Sequence, residues 1–121
     1  MSDAVAALVQ RQMQAWINGD VETILADFAP DCVFITPKSR YQGHAQLRDL
    51  VQKSVSTTTN VHIDLTRMIV QGNQCALEWT WQETRLDSGK HARAEDAIIF
   101  ELRDGQIIYW REYFNPAEME N

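Results

Sequence analysis

The spacing of apolar residues along this chain changes once, close to residue 58. Before that point Val5 and Val9 begin a pattern that repeats every three or four residues, which is the period of an amphipathic helix. After it Val61, Ile63 and Leu65 alternate with polar residues, as in a strand with one buried face. Helices followed by a run of alternating strands predict an α+β fold, with the helices on one face of an antiparallel sheet.

Capping and breaking residues divide the chain into elements. Ser2 or Asp3 is suited to cap a first helix, which Asn18-Gly19 ends, and Asp20 is suited to cap a second helix, which Pro30 stops. The remaining predicted elements are a strand over residues 32–36, a loop over 37–42, a third helix from Gly43, a strand from residue 58, and strands over 75–84, 91–102 and 106–114. We expect one domain over residues 1–121, with no linker or repeat.

Composition and charge exclude several classes of function. The chain has 121 residues and a formal charge of −6, which disfavours a nucleic-acid partner because phosphate backbones are repelled. It has neither an apolar run of membrane-spanning length nor a secretory signal, and Cys32 and Cys75 suggest no disulfide framework, so we expect a cytoplasmic protein. His44, His62 and His91 lack metal-ligand spacing, and no Gly-rich phosphate loop is present, so we expect neither metal nor cofactor.

The last hairpin determines which side chains share a face. A three-residue loop over residues 103–105 pairs Leu102 with Gln106, gathers apolar residues on one face, and sets Asp96 opposite Glu112. A two-residue turn at Asp104-Gly105 would instead set Asp96 opposite Tyr113. We prefer the three-residue loop, because a buried apolar face specifies the register. Two carboxyl groups would then lie together at the end of an apolar face.

Several short stretches resemble one superfamily. They are residues 16–20 (WINGD), 28–33 (FAPDCV), 41–43 (YQG) and 104–107 (DGQI), which occur in order along nearly the whole chain. In this order they resemble the nuclear transport factor 2-like superfamily, of the SnoaL-like and ketosteroid isomerase-like kind. The resemblance implies a cystatin-like cone, in which three N-terminal helices pack in a strongly bent sheet and leave a pocket. It also implies frequent dimerisation.

The stretch 110–114 (WREYF) is similar to a strand of limonene-epoxide hydrolases, which carry Asp where this chain has Glu112. The Arg and the second Asp of that family fall on Trp79 and Trp81 here, and its water-holding Tyr and Asn fall on Phe34 and Thr36. Because those groups are replaced, we do not predict epoxide hydrolysis. The resemblance nevertheless implies a set of residues on the pocket wall, namely Trp79, Trp81, Asp96, Trp110, Glu112 and Phe114.

The predicted site combines two acids with aromatic walls. Asp96 is the first candidate for proton transfer and Glu112 is its partner, because an apolar surrounding and a second carboxyl both raise a carboxyl pKa toward working pH. The residues expected to line the pocket are Trp16, Phe34, Thr36, Tyr41, Trp79, Trp81, Glu83, Ile98, Trp110 and Phe114. The reaction would be a cofactor-free isomerisation, cyclisation or dehydration of a small apolar carbonyl compound.

Other interpretations remain open from the residues alone. Asp96 could be exposed or bound to Arg93 or Arg111, and Glu112 could be a satisfied buried acid beside an Arg or the Tyr41 hydroxyl. The protein could then be a non-catalytic binder of a small apolar or cationic ligand, because tryptophan faces attract cations. It could also be a dimerisation module whose pocket is packed shut.

The outward sheet face has the composition of an interface. We expect a homodimer through this face, whose residues in the preferred register are Ala76, Glu78, Thr80, Gln82, Ile107, Tyr109, Arg111 and Tyr113.

Overall fold

The computed structural model describes residues 2–120. Met1 and Asn121, which are the ends of the expected domain, lie outside the described residues. The side chain of Ser2, one of the two predicted caps of the first helix, also lies outside them. The helices in this range are α1 (Ser2–Asn18), α2 (Val21–Ala26), α3 (Gly43–Thr57) and α4 (Pro116–Glu120). The strands are β1 (Phe28–Ile35), β2 (Arg40–Gln42), β3 (Thr58–Gln71), β4 (Gln74–Arg85), β5 (His91–Arg103) and β6 (Gln106–Tyr113).

Within residues 2–120 the strands form one curled sheet in the order β2-β1-β6-β5-β4-β3. Neighbouring strands are antiparallel, as predicted, except β1 and β6, which are parallel. The apolar faces of the first three helices pack against the inner face of the sheet, through residues such as Leu8, Ile24 and Leu47. The α+β cone expected from the sequence is therefore confirmed.

The start of α2 follows the predicted signals. Gly19 takes a positive φ of 68°, which a residue without a Cβ adopts at little cost, and this conformation ends α1. The Asp20 side chain then accepts a hydrogen bond from the Thr23 amide, which caps α2.

The predicted end of α2 at Pro30 is wrong. The helix ends at Ala26, and Phe28 already belongs to β1, so Pro30 lies inside a strand. The pairing of β1 with β6 is irregular between Phe28 and Val33, and β2 covers only the far end of β1. Pro30 is exposed in this irregular stretch, where its missing N–H leaves no regular ladder bond unmade.

Two short elements were not predicted. The expected loop over 37–42 contains β2, and the segment after the last strand forms α4. β2 has three residues and α4 has five, so neither is long enough to show a periodic pattern.

The preferred register of the β5–β6 hairpin is wrong at the turn. Asp104 and Gly105 have φ angles of 52° and 79°, which is the pattern of a two-residue type I′ turn, and Arg103 pairs with Gln106. Leu102 then pairs with Ile107, and Glu101 pairs with Tyr109. Ile108 is therefore an extra residue in β6, a β-bulge.

The bulge returns alternate residues of β6 to the inner face. Beyond it Phe100 pairs with Trp110 and Ile98 pairs with Glu112. Ile107 is buried, whereas the sequence analysis placed it on the outer face. Asp96 and Glu112 are therefore diagonal neighbours on the inner face, because Glu112 pairs with Ile98 and Asp96 lies two residues before Ile98 on β5. The prediction that they are directly opposite each other is wrong.

Candidate active site

A cavity of about 320 Å³ opens between the helices and the inner face of the sheet. Six of its sixteen lining residues are aromatic, and both Asp96 and Glu112 reach it. The residues that line it are Trp16, Phe34, Thr36, Lys38, Ser39, Tyr41, Leu50, Ser54, Trp79, Trp81, Glu83, Ala94, Asp96, Glu112, Phe114 and Met119. The tryptophans therefore do not fill the space between helices and sheet, as a module packed shut would require.

Two residues predicted to line the pocket lie beneath it. Ile98 is 0% exposed and Trp110 is 1% exposed, and neither reaches the cavity. Both belong to the core layer under the acidic residues. The Trp110 ring stacks on Phe100 at 5.3 Å and on Phe34 at 6.0 Å between ring centroids. This packing holds the floor of the cavity in one arrangement.

Six lining residues were not predicted: Lys38, Ser39, Leu50, Ser54, Ala94 and Met119. Three of them had a signal in the sequence, since Leu50 and Ser54 are one helical turn apart and Ala94 precedes Asp96 by two positions on the same strand. The other three come from a loop and from α4, whose positions depend on tertiary packing.

Asp96 is buried against the cavity wall with 6% of its surface exposed. Burial and the neighbouring charge of Glu112 raise the pKa of Asp96 to about 9. The Trp79 indole and the Tyr113 amide lie close to Asp96 and oppose part of this rise. Asp96 therefore carries its proton at neutral pH and is a hydrogen-bond donor.

Glu112 is the partner of Asp96. Burial raises the pKa of Glu112, while hydrogen bonds from the Trp110 indole and from Asp96 favour its charged form. The Trp110 Nε1 donates to Glu112 Oε2 at 2.8 Å. Burial thus raises the pKa of both carboxyl groups, and the pair holds at least the proton of Asp96 at neutral pH.

The alternative partners considered for the two acids are not in place. Among the described residues neither Asp96 nor Glu112 makes an ion pair with an arginine. The Arg111 guanidinium instead lies over the ring of Tyr113, 4.9 Å from its centroid. Lys38, the lysine that lines the same cavity, is paired with Glu120.

Trp79 and Asp96 face each other across β4 and β5 and leave polar atoms unsatisfied. Trp79 is 2% exposed, and within residues 2–120 neither Trp79 Nε1 nor Asp96 Oδ1 completes a hydrogen bond. Buried polar atoms without partners cost free energy. Trp79 and Asp96 are therefore a buried donor and acceptor that lie close to each other behind the cavity surface.

A second indole–carboxylate pair lies on β4. Trp81 Nε1 donates to Glu83 Oε1 at 2.8 Å, with the same two-residue spacing as Trp110 and Glu112. The pattern Trp-x-Glu therefore occurs twice on the inner sheet face. This repeated spacing is a sequence signal that the sequence analysis did not use.

Polar contacts hold α4 at the mouth of the cavity. Lys38 Nζ lies 2.5 Å from Glu120 Oε2, and the Arg85 guanidinium donates to the backbone oxygen of Met119. Lys38 and Met119 both line the cavity. The loop before β2 and the C-terminal helix therefore form one rim.

The histidines and cysteines lie apart from this site. His44 Nε2 bonds the Phe28 backbone oxygen at 2.7 Å, and His91 Nε2 bonds Gln82 at 3.0 Å. Cys32 and Cys75 are free and buried, and burial raises the pKa of both thiols. Over residues 2–120 the structure brings no three His, Cys, Asp or Glu side chains together as metal ligands would be. None of the helices in that range combines the length and apolarity needed to cross a membrane.

Solved structures share this fold. A ketosteroid isomerase-like protein from Catenulispora acidiphila, in complex with trimethylamine, has a TM-score of 0.84 at 16% identity, over 93% of this chain and 88% of that one. An LEH-like epoxide hydrolase from M. tuberculosis has a TM-score of 0.83 at 22% identity, over 98% and 87% of the two chains. TerC, co-crystallised with polyporic acid, has a TM-score of 0.83 at 18% identity, over 98% and 99%.

At these identities the structural matches establish the fold alone. A comparison with curated proteins found no match to the sequence. The model of the SnoaL-like domain matches residues 9–110, which is most of the chain. The chain therefore belongs to the SnoaL-like family, within the nuclear transport factor 2-like superfamily.

Proposed function

We propose that this protein binds a small, mostly apolar carbonyl compound and moves a proton on it without a cofactor. The observation that carries the proposal is the Asp96–Glu112 pair, two adjacent carboxyl groups at the wall of a largely apolar cavity, of which Asp96 keeps its proton at neutral pH. Such a pair supplies an acid and a base at the same pH. An isomerisation, cyclisation or dehydration requires both.

The two carboxyl groups have different roles. The Glu112 carboxylate removes a proton from the carbon next to the carbonyl group. The single proton of Asp96, which bonds Glu112 in the structure, turns to the carbonyl oxygen of the substrate and stabilises the charge that develops there. Glu112 then returns the proton to a different carbon, which completes an isomerisation with no net change of protons. The aromatic walls exclude water and strengthen the hydrogen bond from Asp96.

The test is turnover of a panel of small enolisable ketones by the native protein and by Asp96→Asn. Native protein should exchange the α-hydrogens of at least one ketone for deuterium, as read by mass spectrometry. Asp96→Asn should lower the rate by about 10²- to 10⁴-fold. Glu95→Gln is the matched control, because Glu95 is the adjacent residue on the outer face of the same strand. No exchange by the native protein, or equal loss in both variants, would refute the proposal.

A second candidate function is binding of a small organic cation without chemistry. Aromatic rings line the cavity beside the two carboxyl groups, an arrangement that attracts quaternary and tertiary ammonium groups. The Catenulispora acidiphila protein of the same fold binds trimethylamine. Calorimetric titration with tetramethylammonium separates the two functions, because a cation binder should bind it and show no deuterium exchange on ketones.

We also propose that two copies associate through the outer sheet face. Ile99 and Tyr113 are each 46% exposed there, close to Arg111, and aromatic and Arg residues are typical of interfaces. The two-residue turn at Asp104-Gly105 places Ile107 on the inner face and so removes it from the outer one. Sedimentation velocity at micromolar concentration should give a dimer for the native protein and a shift toward monomer for Ile99→Glu. A native monomer would contradict the proposal.

A further inference from the structure

A second cavity adjoins the first. It has a volume of about 210 Å³ and lies between the end of α1, the end of α3 and the start of β3. Trp16, Ser54 and Trp81 line both cavities. The two spaces are therefore neighbours that share one wall.

Two tryptophans make up most of the shared wall. Trp16 from α1 meets Trp81 from β4 edge to face, with ring centroids 5.6 Å apart and an interplanar angle of 77°. The hydrogen bond from Trp81 Nε1 to Glu83 fixes the orientation of the Trp81 ring. The Trp16 side chain lies between the Trp81 ring and the backbone of α1.

The second cavity differs from the first in chemistry. No charged side chain of the described residues lines it, and its polar groups are amides and hydroxyls, such as those of Asn18, Thr58 and Asn60. Asn60 has a φ of 53°, and the β3–β4 pairing is irregular between Thr59 and His62. This local departure from regular strand geometry lies at the wall of the second cavity. The second cavity therefore suits the uncharged tail of a bound molecule, including a tail that ends in a hydroxyl group.

We propose that the Trp16–Trp81 pair is a partition that sets the maximum length of the molecule bound beside Asp96 and Glu112. The proposal rests on the proposed function only in taking the main cavity as the binding site. Compounds that fit the first cavity bind, and a longer unbranched tail is blocked by the two rings. Trp16 is thus a specificity-determining residue, although it is remote in sequence from both acids.

The test is a homologous series of alkyl phenyl ketones, starting from acetophenone, titrated by calorimetry. For the native protein each added methylene should tighten binding by about fourfold, the ratio expected from burying one CH₂ group, until the tail reaches the partition. Longer homologues should then bind no tighter. For Trp16→Ala the affinity should keep rising through further methylenes. The longest ketones should therefore bind the variant at least about tenfold more tightly than they bind the native protein. A terminal hydroxyl on the tail should be tolerated in this variant.

Leu50→Ala is the matched control. Leu50 lines the first cavity and not the second, so its removal enlarges the first space without opening the partition. The alkyl length of the ketone at which the affinity stops rising should change less in Leu50→Ala than in Trp16→Ala. If Trp16→Ala does not unfold cooperatively, Trp16→Phe should shift the same limit in the same direction by a smaller amount.

Three outcomes would overturn the proposal. The native protein could gain affinity along the whole series, the limit could be the same in Trp16→Ala because the tail leaves through the mouth, or no ketone could bind either protein. Failure of the proposed function gives a different result. If the protein binds ketones with a length limit set by Trp16 but catalyses no deuterium exchange, the partition proposal stands and the proposed function fails.

Discussion

Two indole–carboxylate pairs on the inner sheet face have the same local geometry and different surroundings. Trp81–Glu83 and Trp110–Glu112 each join an indole N–H to a carboxylate at 2.8 Å. On the neighbouring strand β5, Glu83 is opposite Ala92, whereas Glu112 is opposite Ile98 and diagonal to Asp96. The second carboxyl makes the difference, since it gives the Glu112 pair a shared proton. An identical local motif thus acquires acid–base capacity only from its cross-strand neighbour.

The tryptophans of the two pairs also differ. Trp110 packs among Phe28, Phe34, Phe100 and Trp79 in the core, while Trp81 is half-buried at the cavity wall. One pair is therefore supported by a rigid aromatic layer, and the other borders open space on both sides.

The largest expected effect comes from neutralising each glutamate in turn. Glu112→Gln should lower proton-transfer activity by about 10²- to 10⁴-fold, because it removes the base. Glu83→Gln should lower it by about tenfold or less, because no second carboxyl lies beside Glu83 on β5. Deuterium exchange on the best ketone substrate measures both. Equal losses would show that the two pairs are chemically alike.

Truncating the two tryptophans should separate core from wall. Trp110→Ala should lower the free energy of unfolding by about 3–5 kcal/mol, because it opens a cavity in the aromatic layer. Trp81→Ala should cost about 1–2 kcal/mol, because that ring is already partly exposed. Urea denaturation followed by circular dichroism gives both values. A cost for Trp81→Ala as large as that for Trp110→Ala would contradict the assignment.

The shared proton should make stability fall with rising pH. The pKa of Asp96 is raised from its ordinary value of about 4 to about 9 in the folded state. Between these values only the folded protein holds the proton, so Asp96 contributes a decline of up to about 1.4 kcal/mol per pH unit as pH rises. Its stabilising contribution is complete below pH 4 and lost above pH 9.

Replacing Asp96 by Asn should flatten this decline, because the amide does not titrate. Denaturant unfolding at several pH values between 5 and 9 measures the slopes. Glu95→Gln keeps the acid pair and should retain the native slope. A native protein whose stability rises over this range would show that Asp96 is ionised when folded.

The smallest effect concerns the bulge that brings the Trp110–Glu112 pair to the inner face. Ile107→Val should cost about 0.5–1.5 kcal/mol, because Ile107 is fully buried. Ile108→Val should cost less than about 0.5 kcal/mol, because this residue is the half-buried bulge. Thermal or urea unfolding distinguishes them. A larger cost for Ile108→Val than for Ile107→Val would show that Ile108 is the buried residue, as the three-residue loop preferred from the sequence requires.

Asp96 and Glu112 share a face in spite of an incorrect register. The two-residue turn moves β6 by one position relative to the predicted pairing, and the bulge at Ile108 moves it by one more. Because side chains alternate along a strand, a shift of two positions returns each residue to its predicted face. The prediction was therefore correct about the face and wrong about the direct pairing.

The sequence by itself determined the order of the helices and strands other than β2 and α4, the cap at Asp20, the position of the last hairpin and the family. These depend on local spacing, on side chains that bond their own backbone, and on residues that tolerate a positive φ. Only the tertiary structure decided the bulge at Ile108, the burial of Trp110 beneath the cavity, the position of α4 and the shared proton. Each of these depends on contacts between residues distant in the chain, whose packing and charge interactions no local pattern encodes.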